Sequence, residues 1–217
     1  MPYIEAAVRR KQVVAAARSV LMRDGVAGTT MRAVAGEAGI PLGTLQYVFP
    51  NKQGLLQAVI EDVVDEIAGI LKYSADSKAG LEHAIRHGLR KFWAELVIQR
   101  RDLQLVQYEL VTHALRTPGL ENLSRQQYER YVTVVADWTE QAARQSGESC
   151  AIPFRQLARI IVASIDGLIL QHMVDPDARR SAEDLEAVID MLAYLVTSSN
   201  HARLDIDAGS ELGAASQ

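Results

Sequence analysis

The chain has 217 residues, 48% of them hydrophobic, and carries 23 Lys and Arg against 27 Asp and Glu. That apolar share is ample for a core and excludes wholesale disorder. The single cysteine, Cys150, excludes an internal disulfide, and a formal charge of −4, read globally, argues against a nucleic-acid partner.

The opening MPYIEAAVRRKQ has no apolar signal core, and no run of 18 or more uncharged apolar residues occurs, so a soluble cytoplasmic protein without a membrane is expected. Apolar residues recur every three or four positions and no stretch alternates convincingly, which predicts an all-α fold of about nine helices. Helix 1 should cover 6–23, with Val13, Ala17, Val20 and Leu21 inward and Asp24-Gly25 as its stop. Arg9, Arg10 and Lys11 near its start suit a phosphate better than they suit the helix dipole.

Thr29 or Thr30 suits the N-cap of helix 2, on which Met31, Val34, Ala35 and Ala38 share a face. Gly39 ends it in a left-handed conformation that costs glycine little. Pro41 suits a turn or a first helical position, and helix 3 follows over 42–48. Leu45 and Phe49 should anchor that helix, which leaves Thr44, Gln46 and Tyr47 facing elsewhere. Asn51 can cap helix 4. Lys52 then falls in the first turn, where a cation makes sense beside a phosphate.

Two short helices joined by a tight turn and followed at once by a third have the geometry of a helix-turn-helix, which sets one helix in the DNA major groove. Charge distribution supports this use. Residues 1–55 hold seven Lys or Arg and three Asp or Glu, a net +4, which leaves −8 for the remainder. A basic end on an acidic body suits selective phosphate contact by that end.

Helix 4 should run over 52–72, with Val59, Val63, Ile67 and Ile70 along one face. After a loop at 74–78, helices 5 and 6 are expected at 80–100 and 101–117, with Pro118-Gly119 as a break. Helix 7 should start at 120 or 124 and end at 146, and helix 8 should cover 153–174. Ser181-Ala-Glu-Asp opens helix 9 with a capping box, and that helix should end near Ser199. Three segments result: a DNA-binding domain at 1–51, a helical effector-binding and dimerisation domain at 52–199, and a flexible tail at 200–217.

Leu157, Ile161, Ile165 and Leu168 on helix 8 and Leu185, Val188, Leu192 and Leu195 on helix 9 form broad apolar bands. They are either core or a dimer interface, and the interface is the preferred reading, because a helix-turn-helix needs a partner to reach a second half-site one DNA turn away. Aromatic residues spread over helices 5 to 8 suggest a cavity bordered by Trp93, Tyr108, Val111 and Trp138. Its ligand should be largely apolar, since no cluster of Arg or Lys accompanies those aromatics. His83 and His87 stand four apart on helix 5, but no further ligand at fitting spacing supports a metal. No phosphate-cradling loop, dinucleotide fingerprint or nucleophile elbow occurs, so no cofactor and no enzyme activity are assigned.

Thr30, Val34-Ala35, Ala38-Gly39-Ile40, Gly43-Thr44-Leu45, Phe49 and Lys52-Gln53-Gly54-Leu55 together resemble the DNA-binding domain of the TetR family of bacterial regulators, over roughly residues 9–60. Gln46 and Val48 depart from it, standing where that family usually has Tyr. The resemblance implies a homodimer joined through the last two helices and a body that binds a small molecule and alters the spacing of the two DNA-reading units. The expected DNA contacts are Thr30, Arg32, Leu42, Gly43, Thr44, Gln46, Tyr47 and Lys52, with Arg32 and Lys52 on phosphates. The function expected is a repressor bound to a palindromic double-stranded operator and released by a small effector. The rival readings are a helical ligand-binding or scaffold protein that carries the motif without using it and, more remotely, a small hydrolase.

Overall fold

The computed structural model describes residues 6–74 and 79–212, and among them there are helices and turns but no strand. The α-helices in chain order are α1 (Ala6–Gly28), α2 (Met31–Glu37), α3 (Leu42–Val48), α4 (Lys52–Ser74), α5 (Gly80–Phe92), α6 (Arg101–Arg116), α7 (Glu121–Ser146), α8 (Phe154–Val174) and α9 (Ala178–Leu212). A π-helical turn at Trp93–Ile98 follows α5 directly, where a single unbroken helix was expected. Of the loop expected at 74–78, Ser74 is the last residue of α4 and 75–78 lie outside the described residues.

The helices form two compact units. The first holds the described residues up to Glu66 together with Arg100–Arg130. Its centre is α1, which packs against α2, α3 and α6 and buries Val13, Ala17, Val20 and Leu21 as expected. This unit extends past 51/52, the domain boundary expected from the sequence. Pro50-Asn51 interrupts the helices, but Leu55, Leu56 and Val59 just beyond it are buried, so α4 continues the packing that the break interrupts.

The α1 helix is interrupted where the sequence places its stop, at Gly25, with φ 68° and ψ 179°. One feature requires glycine there and a second favours it. The left-handed φ strains any side chain, and a Cβ would lie 2.8 Å from Oε1 of Glu109 on α6. Beyond the kink, the buried Thr29 donates its Oγ1 hydrogen to the Gly25 carbonyl at 2.7 Å. Arg18 joins α1 to α4 through Asp62 at 2.6 Å and Glu66 at 3.0 Å, and Arg100 also reaches Glu66 at 2.8 Å.

The second unit comprises Ile67–Gln99 and the described residues from Tyr131 onward. Here α9 packs against both α5 and α8. Leu157, Ile161, Ile165 and Ile169 meet Leu185, Ile189 and Leu192 as the buried rows of these helices. Two Arg on α5 are matched by acids on α9: Arg86 reaches Asp190 and Arg90 reaches Glu186, each at 2.6 Å. By length and composition α8 is apolar enough to cross a membrane, alone among the described helices. Its buried row and the polar Asp166 within it suit a packed helix instead. The α9 helix continues to Leu212, past the end expected near Ser199; no proline stops it. The expected flexible tail is thus helical to Leu212, and 213–217 lie outside the described residues.

Candidate nucleic-acid interface

The site begins with a cap. Thr30 takes an extended conformation and its Oγ1 accepts the Ala33 N–H at 3.1 Å, which starts the seven-residue α2. Gly39 has φ +64° and turns the chain, while the Ile40 N–H closes on the Ala35 carbonyl at 3.0 Å. Arg23 ties the end of α1 to α2 by bonding Asp24 at 3.0 Å and Glu37 at 2.9 Å. Hydrogen bonds from the guanidinium to Asp24 and then Glu37 hold its pKa above the ordinary arginine value.

Pro41 stands at the start of α3, its carbonyl accepting the N–H groups of Thr44 and Leu45. Leu45 and Phe49 are buried, and Arg10 lies over the Phe49 ring at 4.5 Å. That anchoring turns the opposite side of α3 outward. Tyr47 is 89% exposed, Gln46 and Gly43 are exposed, and Leu42 and Thr44 are half-buried. A Cβ built on Gly43 would meet nothing within 4 Å, so nothing among the described residues crowds the backbone there. Thr30 and Arg32 are exposed on the neighbouring α2 end.

Lys52 opens α4 as expected, and it has a partner within the chain that the sequence did not show. Its Nζ donates to the Val26 carbonyl at 2.7 Å. Desolvation lowers its pKa, against the opposing pull of Glu109. The ammonium is thus engaged with the chain and ties the start of α4 to the segment after the Gly25 kink. Asn51 caps α4 as expected, its Oδ1 accepting the Gly54 N–H at 2.8 Å. Glu109 was missed by sequence reasoning: nothing local on α6 marks a carboxylate that lies against a glycine far away in the chain.

The four cavity residues divide between the units. Tyr108 and Val111 are half-buried on α6 in the first unit, whereas Trp93 and Trp138 are buried in the second. Trp93 lies edge-on to His172 with ring centroids 5.7 Å apart. His172 in turn shares a 2.8 Å hydrogen bond, Nδ1 to Oγ, with Ser181. His83 and His87 stack with centroids 5.8 Å apart, and no group of three or more metal-ligating residues occurs among the described residues.

The interface residues require a correction. Leu157, Ile161, Ile165, Leu185 and Leu192 are buried in the chain itself, and only Leu168, Val188 and Leu195 keep partial exposure. Periodicity cannot tell a core row from a partner-facing row beside it on the same helix. The row left open on α8 is Ala163, Gly167, Leu170 and Val174, and on α9 it is Ala187, Met191 and Tyr194.

A short polar helix held on a three-helix scaffold with its outer face open defines a helix-turn-helix DNA-binding protein. The model for bacterial regulatory proteins of the tetR family matches residues 13–59, and that for the tetracyclin repressor-like C-terminal domain matches residues 84–198. The chain belongs to the TetR family and is a DNA-binding transcriptional regulator. It is 29% identical over 187 residues to the HTH-type nicotine-responsive transcriptional repressor HdnoR of Paenarthrobacter nicotinovorans, covering 86% of this chain and 94% of that protein. It is 24% identical over 201 residues to the HTH-type transcriptional regulator BetI of Paraburkholderia phymatum, covering 88% and 95%. Among solved structures, a TetR-family regulator from Rhodococcus sp. superposes with a TM-score of 0.71 at 19% identity, covering 87% of this chain and 98% of that one.

Proposed function

We propose that this protein is a homodimeric cytoplasmic repressor that binds a palindromic operator and leaves it when a small, largely apolar effector binds. The observation that carries the reading is the open face of α3, with Tyr47 and Gln46 exposed on a helix anchored by Leu45 and Phe49. A glutamine side chain can bond adenine bidentately, and an aromatic edge can touch a thymine methyl or a phosphate. Thr30 and Arg32 flank this face as phosphate contacts, with Leu42, Gly43 and Thr44 lining its near end.

A single copy presents one such face. The open row on α8 and α9, Gly167, Leu170, Met191 and Tyr194 among it, supplies an apolar surface through which a second copy completes the pair. Trp93 and Trp138 in the second unit are the effector-binding candidates. Cations near them are engaged, Arg86 and Arg90 with α9 acids and Lys91 with Glu95, which favours an uncharged ligand over a polyanion. A relative named for nicotine response is consistent with a small effector carrying an aromatic ring.

The test is operator affinity measured by fluorescence anisotropy, with and without nicotine as the first trial effector and a panel of small aromatic molecules after it. An effector should lower affinity by about 1–3 kcal/mol, a typical coupling between two sites. Unchanged affinity with every molecule that binds the protein would refute release by ligand.

A further inference from the structure

We propose that the indole N–H of Trp138 is the polar anchor of the effector site, and that the effector is a flat, largely apolar molecule bearing an uncharged hydrogen-bond acceptor such as a pyridine-type nitrogen or a carbonyl oxygen. This rests on the effector reading above and adds the chemistry of the ligand.

Trp138 lies on α7 within the second unit and is 5% exposed. Its Nε1 is buried, and among the described residues it meets no acceptor. Folded proteins rarely leave a buried donor unpaired, because the lost hydration is then not replaced. The ring is also held in place. Gly88 on α5 is buried under it, and a Cβ there would strike Cζ2 and lie 2.8 Å from Cη2. Glycine at 88 thus seats the benzo edge of the indole. The donor sits next along that edge, so it cannot be relocated without unseating the ring.

Position in the fold points the same way. A few residues beyond Gly88, α5 passes into the π turn that starts at Trp93, and π turns inside helical segments occur often at functional sites. Trp93, the other tryptophan, faces His172, whose Nδ1 is already paired with Ser181 Oγ. Trp138 is the tryptophan whose buried donor meets no acceptor among the described residues. The α5 cations Arg86 and Arg90 are matched by Asp190 and Glu186, so a neutral acceptor suits this donor better than an anion.

The chain has two tryptophans, so the full-length protein labelled with ¹⁵N-tryptophan gives two indole N–H resonances, assigned with Trp138→Phe. The probes are matched pairs differing by one ring CH or N: biphenyl with 3-phenylpyridine, and naphthalene with quinoline. The nitrogen member should bind the wild type roughly three- to tenfold tighter, the range of one neutral hydrogen bond. It should move the Trp138 resonance downfield and release DNA, and Trp138→Phe should erase its advantage. The wild-type comparison stands even where the variant folds poorly. Equal release of DNA by both members of each pair would overturn the anchor and leave the effector reading intact. Probes that neither move the Trp138 resonance nor release DNA would overturn both.

Discussion

The ammonium of Lys52 donates to the carbonyl of Val26 at 2.7 Å, joining the first residue of α4 to the segment just past the Gly25 kink. Glu109 of α6 lies against the same kink. Three helices of the first unit therefore meet at one small polar junction, and the position of the helix-turn-helix depends on it.

The first expectation follows from that bond. Lys52→Met should destabilise the protein by about 1–3 kcal/mol in urea unfolding, because the Val26 carbonyl is left buried without its donor. Affinity for all DNA sequences should fall together as α4 loses its tether, while the salt slope stays within about half a unit of wild type. A slope reduced by about one unit would instead return Lys52 to a phosphate.

The same lysine gives a pH dependence. Burial lowers its pKa in the folded state below the ordinary 10.5, so between the two values the unfolded chain binds more protons and stability rises with pH. Urea midpoints should therefore rise through the region just below pH 10.5 in wild type relative to Lys52→Met. A difference that shrinks with rising pH would contradict the sign.

Gly25 offers a sharper perturbation. Gly25→Ala forces a side chain into a left-handed φ and against Glu109, with an expected cost of about 1–3 kcal/mol from the strained backbone alone. Thermal unfolding reads the loss. Glu109→Ala in the same background should restore only the part that comes from the collision.

The open α8 and α9 row can be separated from the core row beside it. Met191→Glu, at an exposed position, should give folded monomers by light scattering. Leu192→Glu, fully buried one residue on, should unfold or precipitate the protein. Monomeric wild type at micromolar concentration would remove the second copy from the account.

The helix-turn-helix was legible because its cues are local. Thr30, Gly39, Pro41 and Asn51 each act within a few residues of themselves, and Leu45 and Phe49 follow one short period. The π turn at Trp93 and the seat that Gly88 provides for Trp138 were not legible, since both depend on neighbours distant in the chain. The bond from Lys52 to Val26 was not legible for the same reason: its partner lies in another helical segment. The α8 and α9 bands were legible as apolar, but which row is buried within the chain was not, because two rows of similar composition run side by side on each helix.

The central claim is that the outer face of α3 reads DNA sequence, and selection from a random duplex library tests it most directly. Wild type should enrich a palindrome whose half-sites lie about one DNA turn apart. Gln46→Ala should lose preference at one base position, at a cost of about 1–3 kcal/mol, and Tyr47→Ala should weaken binding with unfolding stability within about 0.5 kcal/mol of wild type. No enriched sequence, or an identical enriched sequence bound equally well by both variants, would contradict the account.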